Sequence, residues 1–330
     1  MSRTTVVYLS GFGRSGSTLV ERLLGAAPGW VNVGELVDLA RSVAPADERC
    51  GCGQPFSACP FWTRVGDVAF GGWQPDVLER LTGWHRTSAR QRHLPSLLAV
   101  LRGREPSESL SRLRATYASI YAAVATVAAA RVVVDASKGP ALGAALAGCP
   151  DIDLRVLNVV RDPRAVAWSW GRHVERPHAV AGTDQMWRIP AHRSAAQWTA
   201  LQLEVEAVRR AGVPVARLRY EDLVLDPAPA LARAGTALGL DLASSDLPIV
   251  EAGSVALHPS HGLSGNPARF RSGPVPLSRD DQWLTAMPAR SQAVVTALTL
   301  PLVTRYGYPL RPRHPEAARQ AARHATWSST

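Results

Sequence analysis

The sequence predicts an α/β fold, a parallel sheet flanked by helices on both faces and interrupted by helical insertions. Three observations predict it. Four short β-branched and aliphatic runs, at residues 5–10, 131–135, 154–160 and 213–218, alternate with longer helical patterns. Each run is apolar almost throughout, as strands buried on both faces are, instead of alternating with polar residues. The first run ends in a glycine-rich loop that leads directly into a helix, the opening of a βαβ arrangement.

Taken in order, Thr5-Val6-Val7-Tyr8-Leu9-Ser10 is the first strand and residues 11–16 the loop. Ser17-Thr18 opens a helix through Leu19, Leu23 and Leu24 that stops at Pro28-Gly29. Residues 31–43 read as a strand edge passing into a helix, with Gly34-Glu35 at the junction. Residues 45–75, rich in Gly, Pro and Cys, read as an irregular insertion, and 76–130 as mainly helical. The strand at 131–135 is followed by Ser137-Lys138, and the strand at 154–160 by Arg161-Asp162-Pro163 and a helix through Ser169. A helix over 191–211, a strand over 213–218 and Tyr220-Glu221-Asp222 come next. Residues 244–281 read as irregular and 281–306 as helical. The expectation is one domain over 1–310, with 45–130 inserted, and a basic disordered tail over 311–330.

A chain of 330 residues that is 46% hydrophobic and 19% charged can bury a sizeable core, which excludes a disordered or fibrous protein. The net charge is +10, and Lys138 is the only lysine among 37 basic residues. Arginine suits forked recognition of phosphate and sulfate. The lone lysine marks a place where a compact ammonium is wanted. The arginines are spread along the whole chain and no nucleic-acid motif accompanies them, so no nucleic-acid partner is expected. No leader is visible, and the longest nearly apolar run, 121–130, is short of the roughly 18–20 residues of a membrane span. A cytoplasmic protein without an integral span is expected.

Four cysteines are too few to staple a secreted domain of this length. Cys50, Cys52 and Cys59 lie close together, but a zinc site wants four ligands, usually in paired units. The next histidine is His85, so free thiols in a local core are expected, and no metal. A Cys52–Cys59 or Cys50–Cys59 disulfide is the alternative.

The loop Ser10-Gly11-Phe12-Gly13-Arg14-Ser15-Gly16-Ser17-Thr18 is a P-loop-type phosphate cradle. Glycines let the backbone approach a ligand, and the following helix N-terminus offers N–H groups and the positive end of its dipole. Nucleotide triphosphatases carry G-x-x-x-x-G-K-[ST] here. Gly11, Gly16 and Thr18 match, but Ser17 stands at the lysine position and the positive charge has moved to Arg14. Gly13, Arg14, Ser15, Gly16, Ser17 and Thr18 are therefore candidates for binding a phosphate-like anion, and ordinary NTP hydrolysis is disfavoured. Arg161, at a strand C-terminus, and Ser169, eight residues on, supply a second anion site.

With these two motifs on neighbouring strands the sequence resembles the PAPS-dependent sulfotransferases, more the carbohydrate, tyrosyl-protein and bacterial branches than the cytosolic one. The resemblance implies that the loop binds the 5′-phosphosulfate of 3′-phosphoadenosine 5′-phosphosulfate (PAPS) and that Arg161 and Ser169 bind its 3′-phosphate. Arg219-Tyr220-Glu221-Asp222-Leu223 with Asp226-Pro227 is similar to a family element whose tyrosine lies near the nucleotide. The segment 265–271, with Arg269, lies where members carry a basic loop that closes over the donor. PAPS as donor, PAP as product and no metal are expected, with a small-molecule or glycan acceptor; the oligomeric state is left open.

Sulfuryl transfer needs a base for the acceptor proton and a cation for the leaving oxygen. Glu35, in its Gly-Glu context, is the candidate base. Lys138 is the candidate cation, with Arg14 second, and Ser137 is a candidate contact to the donor. Asp135 reads either as the end of a Walker B strand, which would hold Mg²⁺, or as a structural carboxylate. Trp168, Trp170, Trp187 and Trp198, and His173, His178, His258 and His261, are candidates for lining an acceptor. The competing function is a P-loop kinase or NTPase-like phosphotransferase, which predicts Mg²⁺-dependent ATP binding.

Overall fold

The computed structural model describes residues 3–172, 188–251, 253–277 and 279–311. His173, His178, Trp187 and nearly all of the tail at 311–330 lie outside the described residues. The chain groups into two units. One takes the described residues up to 161 together with 200–279; the other takes 162–172, 188–199 and 280–311.

The first unit is built on a parallel sheet of β1 (Thr4–Ser10), β2 (Trp30–Gly34), β3 (Val132–Lys138), β4 (Ile152–Val160) and β5 (Val215–Arg219). Their spatial order is β2-β3-β1-β4-β5. Alternate strand residues feed two separate cores. Val6, Tyr8, Val133, Leu154 and Val156 point into one, and Val7, Leu9, Val132, Val134, Leu157 and Val159 into the other. That is why the strands read as continuous apolar runs: both faces are covered, and at about 25 cal/mol per Å² of apolar surface each face contributes.

Helices α1 (Ser17–Leu24), α2 (Pro60–Phe70), α3 (Pro75–Ser88), α4 (Leu94–Leu101), α5 (Glu108–Val127) and α6 (Pro140–Ala147) precede β4. Helices α7 (Pro163–Gly171), α8 (Ala191–Arg210), α9 (Tyr220–Leu225), α10 (Pro227–Ala237), α11 (Trp283–Ala286) and α12 (Ala289–Arg305) follow it. One core takes residues of α2 to α6, the other residues of α1, α9 and α10. The fold is α/β with helices on both faces of a parallel sheet.

Two stretches differ from the sequence expectation. The segment expected to be irregular at 45–75 contains α2, with Pro60 at its first turn, where a missing N–H costs nothing. The segment expected to be irregular at 244–281 holds a small antiparallel sheet of β6 (Ile249–Glu251), β7 (Ser254–Leu257) and β8 (Gly273–Pro276).

The second unit holds α7, α11, α12 and the start of α8. Ala165, Ala167, Ala195, Trp283, Met287 and Val295 form its core. The buried Arg164 grips Asp162 through Nε (2.9 Å) and Nη2 (2.7 Å), and its guanidinium lies 4.9 Å from the Trp283 ring centre. Trp198 is fully buried against Tyr306, so it is core and not a wall for an acceptor.

Candidate active site

In the first unit the C-terminal ends of β1, β2, β3, β4 and β5 lead into the glycine loop, Glu35, Lys138, Arg161 and Tyr220. After Ser10 the chain turns through Gly11, where a Cβ would lie 2.4 Å from the Val159 carbonyl oxygen. Gly16 has φ 89°, and a Cβ there would lie 2.4 Å from the Tyr220 ring. Only glycine meets both demands. Gly16 caps α1 with no side chain on the helix N-terminus, so the first-turn N–H groups have no side-chain capping partner. The Ser15 hydroxyl is buried without a protein partner. An open helix N-terminus, a glycine cradle and an orphaned buried hydroxyl fit a phosphate- or sulfate-like anion.

Arg161 closes the other side of the loop. Its Nη1 donates to the Arg14 carbonyl at 3.2 Å, and its guanidinium lies 4.7 Å from the centre of the Tyr220 ring. Arg14 itself has φ 74°, a conformation a side-chain-bearing residue holds only when its surroundings fix it. Arg14, Gly16, Arg161 and Tyr220 are thus brought together at the glycine loop. Ser169 lies on α7 in the second unit.

Glu35 and Lys138 meet. Lys138 Nζ donates to Glu35 Oε1 in a close ion pair, and both side chains are about four-fifths buried, at 22% and 18% exposed. Lys138 also has a left-handed backbone, φ 65°, held by the Ser10 hydroxyl donating to its carbonyl at 2.9 Å. Glu35 donates its N–H to the Leu263 carbonyl at 2.8 Å. A Cβ on Gly265 would lie 2.7 Å from Glu35 Oε1, so the late loop runs directly against the carboxylate.

Ser137 turns inward. Its hydroxyl donates to Asp135 Oδ1 at 2.5 Å and accepts the Val37 N–H at 2.9 Å, which ties the segment after Glu35 to β3. Asp135 is fully buried and also accepts the Tyr121 hydroxyl at 2.5 Å and the Ser137 N–H at 2.8 Å. Burial raises its carboxyl to about 6 against the pull of the Ser137 and Tyr121 hydrogen bonds. Both oxygens are engaged within the protein, which favours the structural reading of Asp135 over the Walker B one. Arg269 donates to the carbonyls of Gly265 (3.2 Å) and Arg49 (3.3 Å) and stacks on Phe270, so it braces the late loop. His258 gives its carbonyl to Arg22, and His261 faces the three clustered cysteines.

One residue near the site carried no expectation. Glu21 on α1 is buried, and burial pushes its carboxyl up to about 8 despite the favourable field of Lys138. Its Oε2 has no hydrogen-bond partner. The signal was present in the sequence as a charge between Val20 and the apolar Leu23-Leu24 pair on a helix that must bury that face.

A family model described as "Sulfotransferase family" matches residues 7–244. The chain belongs to that family. Searches of curated proteins return no match. Three solved structures align along much of the chain. The sulfotransferase domain of the Synechococcus PCC 7002 olefin synthase is 20% identical, with 92% of this chain and 95% of that one covered at a TM-score of 0.44. The sulfotransferase domain from the curacin biosynthetic pathway is 14% identical, with 94% and 99% covered at 0.48. Sulfotransferase STF1 from Mycobacterium tuberculosis H37Rv is 16% identical, with 74% and 70% covered at 0.40. Among the described residues no helix is long and apolar enough to cross a membrane.

Proposed function

We propose that the chain moves the sulfuryl group of PAPS to a hydroxyl of a carbohydrate, lipid or small metabolite, with Glu35 as base. The observation that carries this reading is the Glu35–Lys138 pair at the strand ends beside an anion-binding loop. When bound, PAPS supplies an electrophilic sulfur on a phosphosulfate anhydride and leaves as PAP. The N–H groups of residues 13–18 and the hydroxyls of Ser15, Ser17 and Thr18 hold the 5′ end. Arg161 and Ser169 hold the 3′-phosphate, and Tyr220 lies beside the nucleotide. Glu35 takes the acceptor proton as the acceptor oxygen bonds to sulfur. Lys138 and Arg14 stabilise the charge that gathers on the bridging oxygen as its bond to sulfur breaks. The hydrogen bonds of Ser137 and Arg269 suit holding the Glu35 segment and the late loop in place. The same reading puts the enzyme in the cytoplasm, supported by four cysteines that form no disulfide.

The kinase alternative needs a Walker lysine and a carboxylate for Mg²⁺. Ser17 stands at the lysine position, and Asp135 is engaged by Ser137 and Tyr121. Calorimetry separates the two readings. Adenosine 3′,5′-bisphosphate should bind more tightly than ATP with or without Mg²⁺, and Arg161→Ala should weaken the bisphosphate by about tenfold or more. ATP preferred, and only with Mg²⁺, would sink the sulfotransferase mechanism.

A further inference from the structure

The cysteines left without a role by the sequence acquire a fourth partner in the fold. Cys50, Cys52 and Cys59 lie in the turn that leads into α2, and His261 arrives from the late loop. One ligand atom from each lies within 4.8 Å of all the others. Cys50 Sγ is 3.6 Å from Cys59 Sγ, and Cys52 Sγ is 3.7 Å from it. His261 Nδ1 is 3.3 Å from Cys59 Sγ and 3.7 Å from Cys50 Sγ. A tetrahedral zinc ion with bonds of about 2.3 Å to sulfur and 2.05 Å to nitrogen sets its ligands about 3.8 Å (S to S) and 3.6 Å (S to N) apart. These four spacings are close to those of an ion's coordination shell. They are much longer than the roughly 2.05 Å of a disulfide.

We propose that Cys50, Cys52, Cys59 and His261 bind one zinc ion in a closed, structural Cys₃His site. The surroundings fit such a site. Cys50 and Cys59 are fully buried, and their sulfurs accept the backbone N–H groups of Cys52 and Trp62 respectively. Such hydrogen bonds to ligating sulfur stabilise the thiolate form. The His261 ring is stacked on Phe61 at 4.6 Å with an 8° interplanar angle, which fixes its orientation. Three thiolates and an imidazole in a tetrahedron select zinc over the hard cations. Four protein ligands leave no open position, so the ion is structural and takes no part in sulfuryl transfer.

The site is a clasp with a definite load. It joins the turn at 50–59 to the loop that runs along β2. Gly51 donates to the Gly262 carbonyl at 3.0 Å, Trp62 Nε1 to the His261 carbonyl at 2.8 Å, and Leu263 to the Val33 carbonyl at 2.9 Å. The same Leu263 accepts the Glu35 N–H. The ion therefore anchors the loop on which the Glu35 backbone rests. This differs from the sequence expectation of free thiols and no metal, because the fourth ligand is 202 positions from Cys59.

The test is metal analysis of the untagged full-length chain after desalting. About one zinc per chain is expected, falling about tenfold or more in Cys52→Ser and in His261→Ala. Cys149→Ser, a cysteine whose sulfur contacts the Arg114 carbonyl elsewhere, should keep its zinc. Should the ligand variants fail to fold, cobalt(II) exchanged into the wild-type chain gives a second readout. One equivalent should bring thiolate-to-cobalt charge-transfer absorption and intense tetrahedral d–d bands. A wild-type chain without zinc that also shows no cobalt bands overturns the proposal, as does undiminished zinc in the Cys52→Ser/His261→Ala double variant. None of these readouts depends on sulfotransferase activity, so the two proposals stand or fall separately.

Discussion

At the scale of single residues, Glu35 and Lys138 are the pair on which turnover should turn. Their ion pair joins the end of β2 to the end of β3, and each is fixed on its own side. The Glu35 N–H is held by Leu263, and the Lys138 carbonyl by Ser10. Glu35→Gln keeps the shape and removes the base, so it should lower turnover by about 10²–10⁴ while leaving the affinity for adenosine 3′,5′-bisphosphate within about threefold. Lys138→Met keeps the stem and removes the ammonium, with an expected loss of about 10²–10³ in turnover. Single-turnover rates with bisphosphate titrations alongside check both. An equal loss of binding and turnover in Glu35→Gln would remove it as the base.

At the scale of elements, the glycines show where the backbone itself is the constraint. A Cβ on Gly34, with φ 75°, would lie 2.2 Å from the Leu263 carbonyl oxygen and 2.3 Å from the Leu263 nitrogen. Backbone atoms cannot swing aside as a side chain can. Gly34→Ala should therefore cost about 2–4 kcal/mol in urea unfolding and displace the adjoining Glu35. Gly71, which ends α2 at φ 71° with nothing within 4 Å, is the matched control, and Gly71→Ala should cost only about 1 kcal/mol. Comparable losses at both positions would mean that φ alone, and not the strand-to-loop contact, limits Gly34. The same distinction explains what could be read in advance. The glycine loop and the Gly34-Glu35 junction are local, since strand, turn and helix follow one another within a few residues and their turn chemistry is written in order. The three-stranded antiparallel sheet is not. Its strands are three or four residues long and β8 carries two prolines, so neither alternation nor length marks them. The role of His261 was hidden for a different reason: its partners come from the far end of the chain, and spacing carries no information across such a loop.

At the scale of the whole molecule, stability should depend on pH through a group the catalytic reading does not use. Glu21 is held up to about 8 by burial, against 4.5 for a free glutamate, with Lys138 and Arg22 lowering it and Glu35 and Asp135 raising it further. Between those values the folded chain keeps a proton that the unfolded chain has released. Folding stability from this group is therefore full below about pH 4.5 and is lost as pH rises towards 8. Asp135, raised to about 6, slopes the same way but has finished by neutral pH. His85, lowered by burial, slopes the opposite way. The absolute curve thus mixes signs, but the difference between wild type and Glu21→Gln cancels every group except Glu21. Urea unfolding at pH 6, 7 and 8 should show wild type losing roughly 2–3 kcal/mol relative to the variant across that range, at about 1.4 kcal/mol per pH unit. Parallel curves for the two proteins would mean that the Glu21 carboxyl is already ionised when folded. In that case the lysine at the end of β3 would be serving two carboxylates and not one.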